Sequence, residues 1–400
     1  MFSYFTLPLL GNAKLIDFVH KSNNIRKFNP KSHDIQSIIA ENKYRRGNVY
    51  REIHYKQLTL FVMYKTLGVM LAGLMALGCM AAAREPYESL EGRRLADFHV
   101  DYPRDSIRLS DPCILADENT QMYYMTGTRG RLWVSDNLDT WTGPYSLIQP
   151  DTTSWMGSHP EIWAAELHEY KGKYYCFATF TNNDIITGRF KGMDMPRRAS
   201  HVMVSDVPWG PYRPVSNEDY LPADRPTLDG TFWVDADGKP YMIYCGEWIS
   251  NWDGTMEKIR LKDDLSGSIG DGSLMFKASA SPWSRERIDG KVQPNRVTDG
   301  PWLFRTGSGR LGMIWTSWIY NVYTQGVAYS QSGTLDGPWI QEPEPITPPG
   351  HGHGMLFRDL TGRWLMSVHS HREENGHYIR IPQLFEVDLS GDKLKIGRKL

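Results

Sequence analysis

The chain has 400 residues, with 45 basic and 46 acidic side chains, 14 Trp and 21 Tyr. Balanced charge and the lack of a basic patch interleaved with aromatics exclude nucleic acid and an anionic membrane surface as expected partners. Length alone allows two or three domains, but a single all-β domain can exceed about 250 residues.

Residues 1–62 are poorly patterned and rich in Lys, Arg and Asn. Residues 63–83 change character: a basic start at Lys65, an apolar run from Leu67 to about Met80, then Ala81-Ala82-Ala83. That is the three-part order of an export signal with a small-residue cleavage site. The run falls short of the roughly 20 apolar residues a spanning helix needs. The expected start of translation is therefore Met63, with residues 1–62 an artefact of start-site choice. Ala76-Leu77-Gly78-Cys79 loosely resembles a bacterial lipobox, which would make a lipid on Cys79 the one membrane attachment. Either way residues 84–400 are expected outside the cytoplasm, in a bacterial periplasm or anchored at the outer membrane. Cys113, Cys176 and Cys245 fall in predicted strands and read as buried free thiols, since an odd number does not make a disulfide framework.

The pattern that follows recurs five times: a polar start, a strand, a tight turn, a second strand. The copies start at Asp111, Pro160, Asp229, Asp299 and His353. Asp229 opens the clearest, where TFWV and PYMIYCG flank Asp235-Ala236-Asp237-Gly238-Lys239. Gly in such a turn supplies the positive φ a hairpin needs. A third strand signal follows each copy: LWVSDNLDTW, HVMVSDVPWGPY, IRLKDDLSG, VAYSQSGTLDGPW and LFEVDLSGDKL. Radial repetition every 50 to 70 residues or so predicts an all-β, five-bladed β-propeller over 84–400. Hairpins stacked in a β-sandwich are the competing architecture. Long connections are expected at 143–158, 182–199, 248–256 and 340–350, where a rigid scaffold carries specificity.

In a propeller the first strand of each blade lines the central channel. Asp111, Glu161 or a neighbour, Asp229, Asp299 and His353 would then converge on the axis. One such Asp reads as turn chemistry. Three at equivalent places suggest acid–base work without a Ser, His or Cys nucleophile. Glycosidic bond hydrolysis needs two carboxyl groups across the bond, and a third acid nearby would raise the proton donor's pKa. A wide axis favours the larger carboxylate separation and inversion. The pairs His351/His353 and His369/His371 each face one way on a strand, so either could ligate a metal; packing or substrate contact explains them better.

These pieces resemble glycoside hydrolase family 43, the five-bladed propellers that act on arabinose-, xylose- or galactose-containing polysaccharides. The resemblance runs from about Ser106 to His371. It rests on Ser110-Asp111-Pro112, Trp163-Ala164-Ala165-Glu166 before Gly172-Lys173-Tyr174-Tyr175, Asp229 with Phe232 and Asp235–Lys239, Asp299-Gly300-Pro301, and Gly352-His353-Gly354 followed by His369. It implies an exported monomeric glycosidase that removes arabinofuranosyl or xylosyl residues from a plant-type polysaccharide and requires no cofactor. A non-catalytic glycan-binding propeller and an exo-galactanase-type member are the alternatives. Asp111 is implied as general base and Asp229 as the acid that tunes the proton donor. His353 is implied on the axis, beside a cation such as calcium or sodium, or a water. Trp163, Glu166, Trp248 and His353 are the expected substrate contacts. The family's proton donor is usually Glu, whereas this chain has Asp299. Asp is one methylene shorter and would reach about 1 Å less far, enough to cost about a hundredfold if uncorrected. Asp299 with a shifted sugar, or Glu247 in its place, are the two candidate donors.

Overall fold

The computed structural model describes residues 102–285 and 293–400, residues 90, 92–94, 97 and 98, and the backbone of 287–288 and 291–292. The export segment, Cys79 and residues 1–62 lie outside the described residues.

Five antiparallel sheets follow one another along the chain, each a blade. Their innermost strands are Cys113–Asp117, Glu161–Tyr170, Thr227–Val234, Asp299–Arg305 and His351–Arg358. The second strands are Met122–Thr126, Lys173–Phe190, Pro240–Gly246, Leu311–Ile319 and Trp364–Glu374. Third and fourth strands complete each blade, and Tyr102–Pro103 adds a fifth strand outside the first blade by pairing with Thr140 and Trp141. All five third-strand signals fall on third strands, and the ring has five blades as expected.

The blades cohere because both faces of every sheet are apolar. Five hydrophobic clusters fill the five gaps between neighbours. Leu132 and Leu167 share one cluster, Phe177 and Met242 a second, Leu228 and Met313 a third, Ile314 and Leu356 a fourth, and Phe357 and Ile114 the fifth, which closes the ring. Each fully buried side chain of this kind stabilises by about 1.5–3 kcal/mol relative to exposure. Turn chemistry sets the hairpins: in the third blade Asp235 Oδ1 accepts from the N–H groups of Asp237 and Lys239, both at 2.9 Å, and Gly238 takes φ 74°. Cys113, Cys176 and Cys245 are free and buried.

One expected connection is different. Residues 182–199 are not a loop; Lys173–Phe190 and Met193–Ser205 run on as a long hairpin. Two register shifts, at Asn182/Ile186 and Ile186/Gly188, break the alternation that would have marked it as strand.

The innermost strands share a device that aims their side chains. In four blades two residues oppose one across the first hairpin, a bulge between Trp163/Glu166, Leu228/Thr231, Asp299/Trp302 and Gly352/Met355. The first bulge residue is left-handed: Ala164 (φ 43°), Asp229 (53°), Gly300 (51°) and His353 (53°), with Asp111 (60°) in the same place before Cys113–Asp117. Such bulges bend a strand and re-aim a side chain at the price of local strain.

Candidate active site

The bulges form a ring of backbone N–H groups, each taken by the preceding blade. Ala164 N–H donates to Thr128 Oγ1 (3.0 Å), Asp229 N–H to Thr179 Oγ1 (2.8 Å), His353 N–H to Thr316 Oγ1 (2.8 Å) and Asp111 N–H to His369 Nδ1 (3.0 Å). Thr179, Thr316 and His369 pair across the sheet with the residue before the bulge, and Thr128 bonds Ser110 in the same way. The third blade has Cys245 at that register position, opposite Leu228. There the Gly300 N–H goes instead to Asp229 Oδ2 at 3.0 Å.

Asp111, Asp229 and His353 occupy equivalent bulge positions; Asp299 does not. The fourth-blade equivalent is Gly300, and Asp299 precedes it, matching Trp163, Leu228 and Gly352. Glu161 is likewise displaced, because the second-blade equivalent is Ala164. Asp299 still joins the cluster, because Gly300 has no side chain. A Cβ there would meet His353 Cδ2 at 2.7 Å.

The three acids meet around one imidazole. His353 Nδ1 lies 3.2 Å from Asp111 Oδ1 and 3.9 Å from Asp229 Oδ2. The Tyr323 hydroxyl donates to Asp299 Oδ2 at 2.9 Å. Thr128 Oγ1 donates to Asp111 Oδ2, and His369 Nδ1 lies 3.3 Å from Asp111 Oδ1. Asp111, Asp229 and His353 are buried and Asp299 is half-buried.

Their titration separates. Burial alone would push the Asp111 carboxyl up, but His353 and His369 outweigh it and hold it well below the usual carboxylate range. Burial pushes Asp229 up to about 8, against His353 and with help from Asp299 and Asp111. Burial pushes Asp299 up to about 6, with His353 and Tyr323 restraining it. Burial disfavours the His353 imidazolium, yet Asp111, Asp229 and Asp299 together lift it above the usual imidazole value. One carboxylate thus stays ionised while two acids titrate near neutrality, the division of labour an acid–base pair requires.

Glu247 is placed differently. It forms an ion pair with Arg198, whose side chain is 8% exposed against 11% for Glu247. Arg198 also donates from Nε to Thr181 Oγ1 at 2.8 Å and lies 4.0 Å over the Trp163 ring. Trp163 and Trp248 are half-buried on this side. Glu166 is 0% exposed and its Oε2 lies 3.1 Å from His168 Nε2, so no direct sugar contact is open to it. Sequence reasoning missed Thr128, Tyr323, Arg198 and Arg380, which bonds Ser110 Oγ at 3.2 Å. A Thr or His at one register position in four of the five blades (Thr128, Thr179, Thr316 and His369) was the available signal for the first of these. His353 Nε2, Glu166 Oε1 and Thr231 Oγ1 are buried without hydrogen-bond partners. Burial pushes the Glu166 carboxyl up, and His168 first, then Thr231 and His353, restrain it, so these groups are neighbours. Among the described residues no group of three or more His, Cys, Asp or Glu side chains could by itself hold a metal ion.

Known proteins share the fold. The chain is 34% identical to the endo-arabinase from Bacteroides thetaiotaomicron, with a TM-score of 0.64 over 74% of this chain and 100% of that one. A thermostable family-43 glycoside hydrolase (21% identity, TM-score 0.60, 74% of this chain and 96% of that one) shares the fold. So does an endo-1,4-beta-xylanase from Bacteroides thetaiotaomicron (21% identity, TM-score 0.56, 75% and 96%). No curated protein sequence matches. The model of glycosyl hydrolases family 43 matches residues 103–387, a span that holds all the acids of the ring, and the chain belongs to that family.

Proposed function

We propose that this glycosidase hydrolyses arabinofuranosyl linkages of a plant-type polysaccharide with inversion, Asp111 acting as base and Asp299 as proton donor. The carrying observation is the meeting of three carboxyl groups from three blades at His353, with Asp111 Oδ1 3.2 Å and Asp229 Oδ2 3.9 Å from its Nδ1. Arabinose as the sugar is supported by the endo-arabinase at 34% identity. The export signal read from residues 63–83 would suit a substrate that does not enter the cell.

Asp111, ionised and fixed by Thr128 and His369, takes a proton from the attacking water. Asp299 gives a proton to the leaving oxygen. Tyr323 holds its Oδ2, so Oδ1 is free to carry that proton, and the shorter Asp is fixed by a neighbour instead of by reach. Asp229 and Asp299 titrate as a pair at about 8 and about 6, so between these values they share one proton. Asp229 also anchors the backbone on which Asp299 rides, through Gly300.

His353 Nε2, Glu166 Oε1 and Thr231 Oγ1 would suit a cation that keeps most of its water shell, with His353, neutral and directing its Nδ1–H at Asp111, as the one direct ligand. Its positive charge would favour the ionised form of Asp111.

A panel of aryl arabinofuranosides and xylosides, with product anomers followed by proton NMR, tests the reading. Arabinose released first as the inverted anomer supports it. Retained configuration, or no release from either sugar, overturns it.

A further inference from the structure

Three aromatic rings stand beside the Arg198–Glu247 pair. Trp248 and Trp252 stack at 5.9 Å with 20° between their planes. Phe190 meets Trp252 edge-on at 5.7 Å. Trp248 directly follows Glu247 and opens the turn Trp248–Ser250 of the third blade, whereas Phe190 ends the long strand Lys173–Phe190 of the second. The long hairpin therefore reaches across to a neighbouring blade. All three rings are half-buried, and none belongs to the five clusters that hold the blades together.

Trp252 also holds φ 69°. A bulky residue avoids the left-handed region. Two backbone bonds keep it there, from Trp252 N–H to Trp248 O and from Arg296 N–H to Trp252 O, both 2.7 Å. Strain kept at a residue that does no packing in the core points to function. Glu247 N–H donates to Pro226 O at 3.1 Å and Cys245 pairs with Leu228, so Glu247 and Trp248 stand at the end of the third blade that carries Asp229, and the charge of Glu247 adds to what pushes Asp299 up. A proton donor faces the leaving group, and rings near it fit sugars on that side.

We propose that Trp248 and Trp252, braced by Phe190, form a stacking platform for sugars on the leaving-group side of the cleaved bond. The platform deepens the hydrolytic reading above and rests on it. Flat apolar rings beside a charged pair match sugar rings, which present apolar faces with hydroxyls at their edges. The platform makes binding energy depend on chain length, which an isolated side-chain sugar would not use.

The test compares the full chain with its Trp252→Gly variant on linear arabino-oligosaccharides and xylo-oligosaccharides from dimer to hexamer. The parent's kcat/KM is expected to climb with length. The variant should lose about tenfold of the hexamer's advantage, the loss expected for uncovering one sugar face. Its melting temperature should hold or rise, because Gly takes φ 69° without strain. A melting temperature that falls, with equal loss at every length, would show a structural role and overturn the platform; an unchanged climb would overturn it too. If the parent cleaves neither series, the hydrolytic reading fails by itself. Calorimetry of hexamer binding to Asp111→Asn, with and without Trp252→Gly, then reads the platform without turnover; equal affinities, or no binding to either, overturn it.

Discussion

The Gly300 N–H donates to Asp229 Oδ2 at 3.0 Å, tying the backbone that carries Asp299 to a carboxylate of the neighbouring blade. At the other four blade junctions a Thr hydroxyl or a His ring nitrogen takes the equivalent N–H. Cys245 stands at the register position where the third blade would supply one, and a thiol is a weak acceptor. The carboxylate has replaced the hydroxyl, and the replacement couples two of the three acids.

Cys245→Thr would restore the hydroxyl and compete for the Gly300 N–H. That N–H holds the Asp229 carboxyl down, so its loss should push the carboxyl above about 8. The expected outcome is an alkaline limb of kcat/KM displaced upward and a several-fold lower kcat, read from a pH–rate profile.

Asp229→Asn should separate stability from activity. Folded Asp229 keeps its proton up to about 8, whereas the unfolded chain releases it in the ordinary carboxylate range. Across that window the folded state binds more protons, so this group's contribution to stability falls as pH rises. Asn suffers no such loss and can still accept from Gly300. The variant should melt higher than the parent near pH 8, with the gap closing toward about pH 4, and its turnover should fall by roughly 100-fold or more. Scanning calorimetry at several pH values checks the first part and steady-state kinetics the second.

Glu247→Ala should act through structure. It leaves Arg198, 8% exposed, without its partner. An uncompensated buried charge costs about 3–5 kcal/mol. The variant should melt lower and show a raised KM, because Arg198 no longer fixes Trp163. An activated leaving group should not restore its rate, as it would for a lost proton donor.

The hairpins were legible because their chemistry is local: Asp235 and Gly238 fix a turn whatever surrounds them. The blade count followed from repetition. The bulges were not legible. A two-against-one pairing depends on the partner strand, so Asp299 reads as the equal of Asp111 and Asp229 although it sits one residue before the bulge. The extension at 182–199 was hidden by its own register shifts, and fourth strands as short as Arg213–Pro214 and Trp339–Gln341 leave no period to detect. Asp111, Asp229 and His353 could be found from the sequence because each opens a blade. Tyr323 could not, because it reaches Asp299 from a third strand whose pairing only the fold supplies.

The most direct measurement is the leaving-group dependence of Asp299→Asn on aryl arabinofuranosides. A lost proton donor should leave hydrolysis of a dinitrophenyl glycoside nearly intact and slow that of an unactivated phenyl glycoside about a hundredfold or more. Equal slowing of both substrates, or the same leaving-group pattern in a Glu247→Gln variant instead, would contradict Asp299 as the donor.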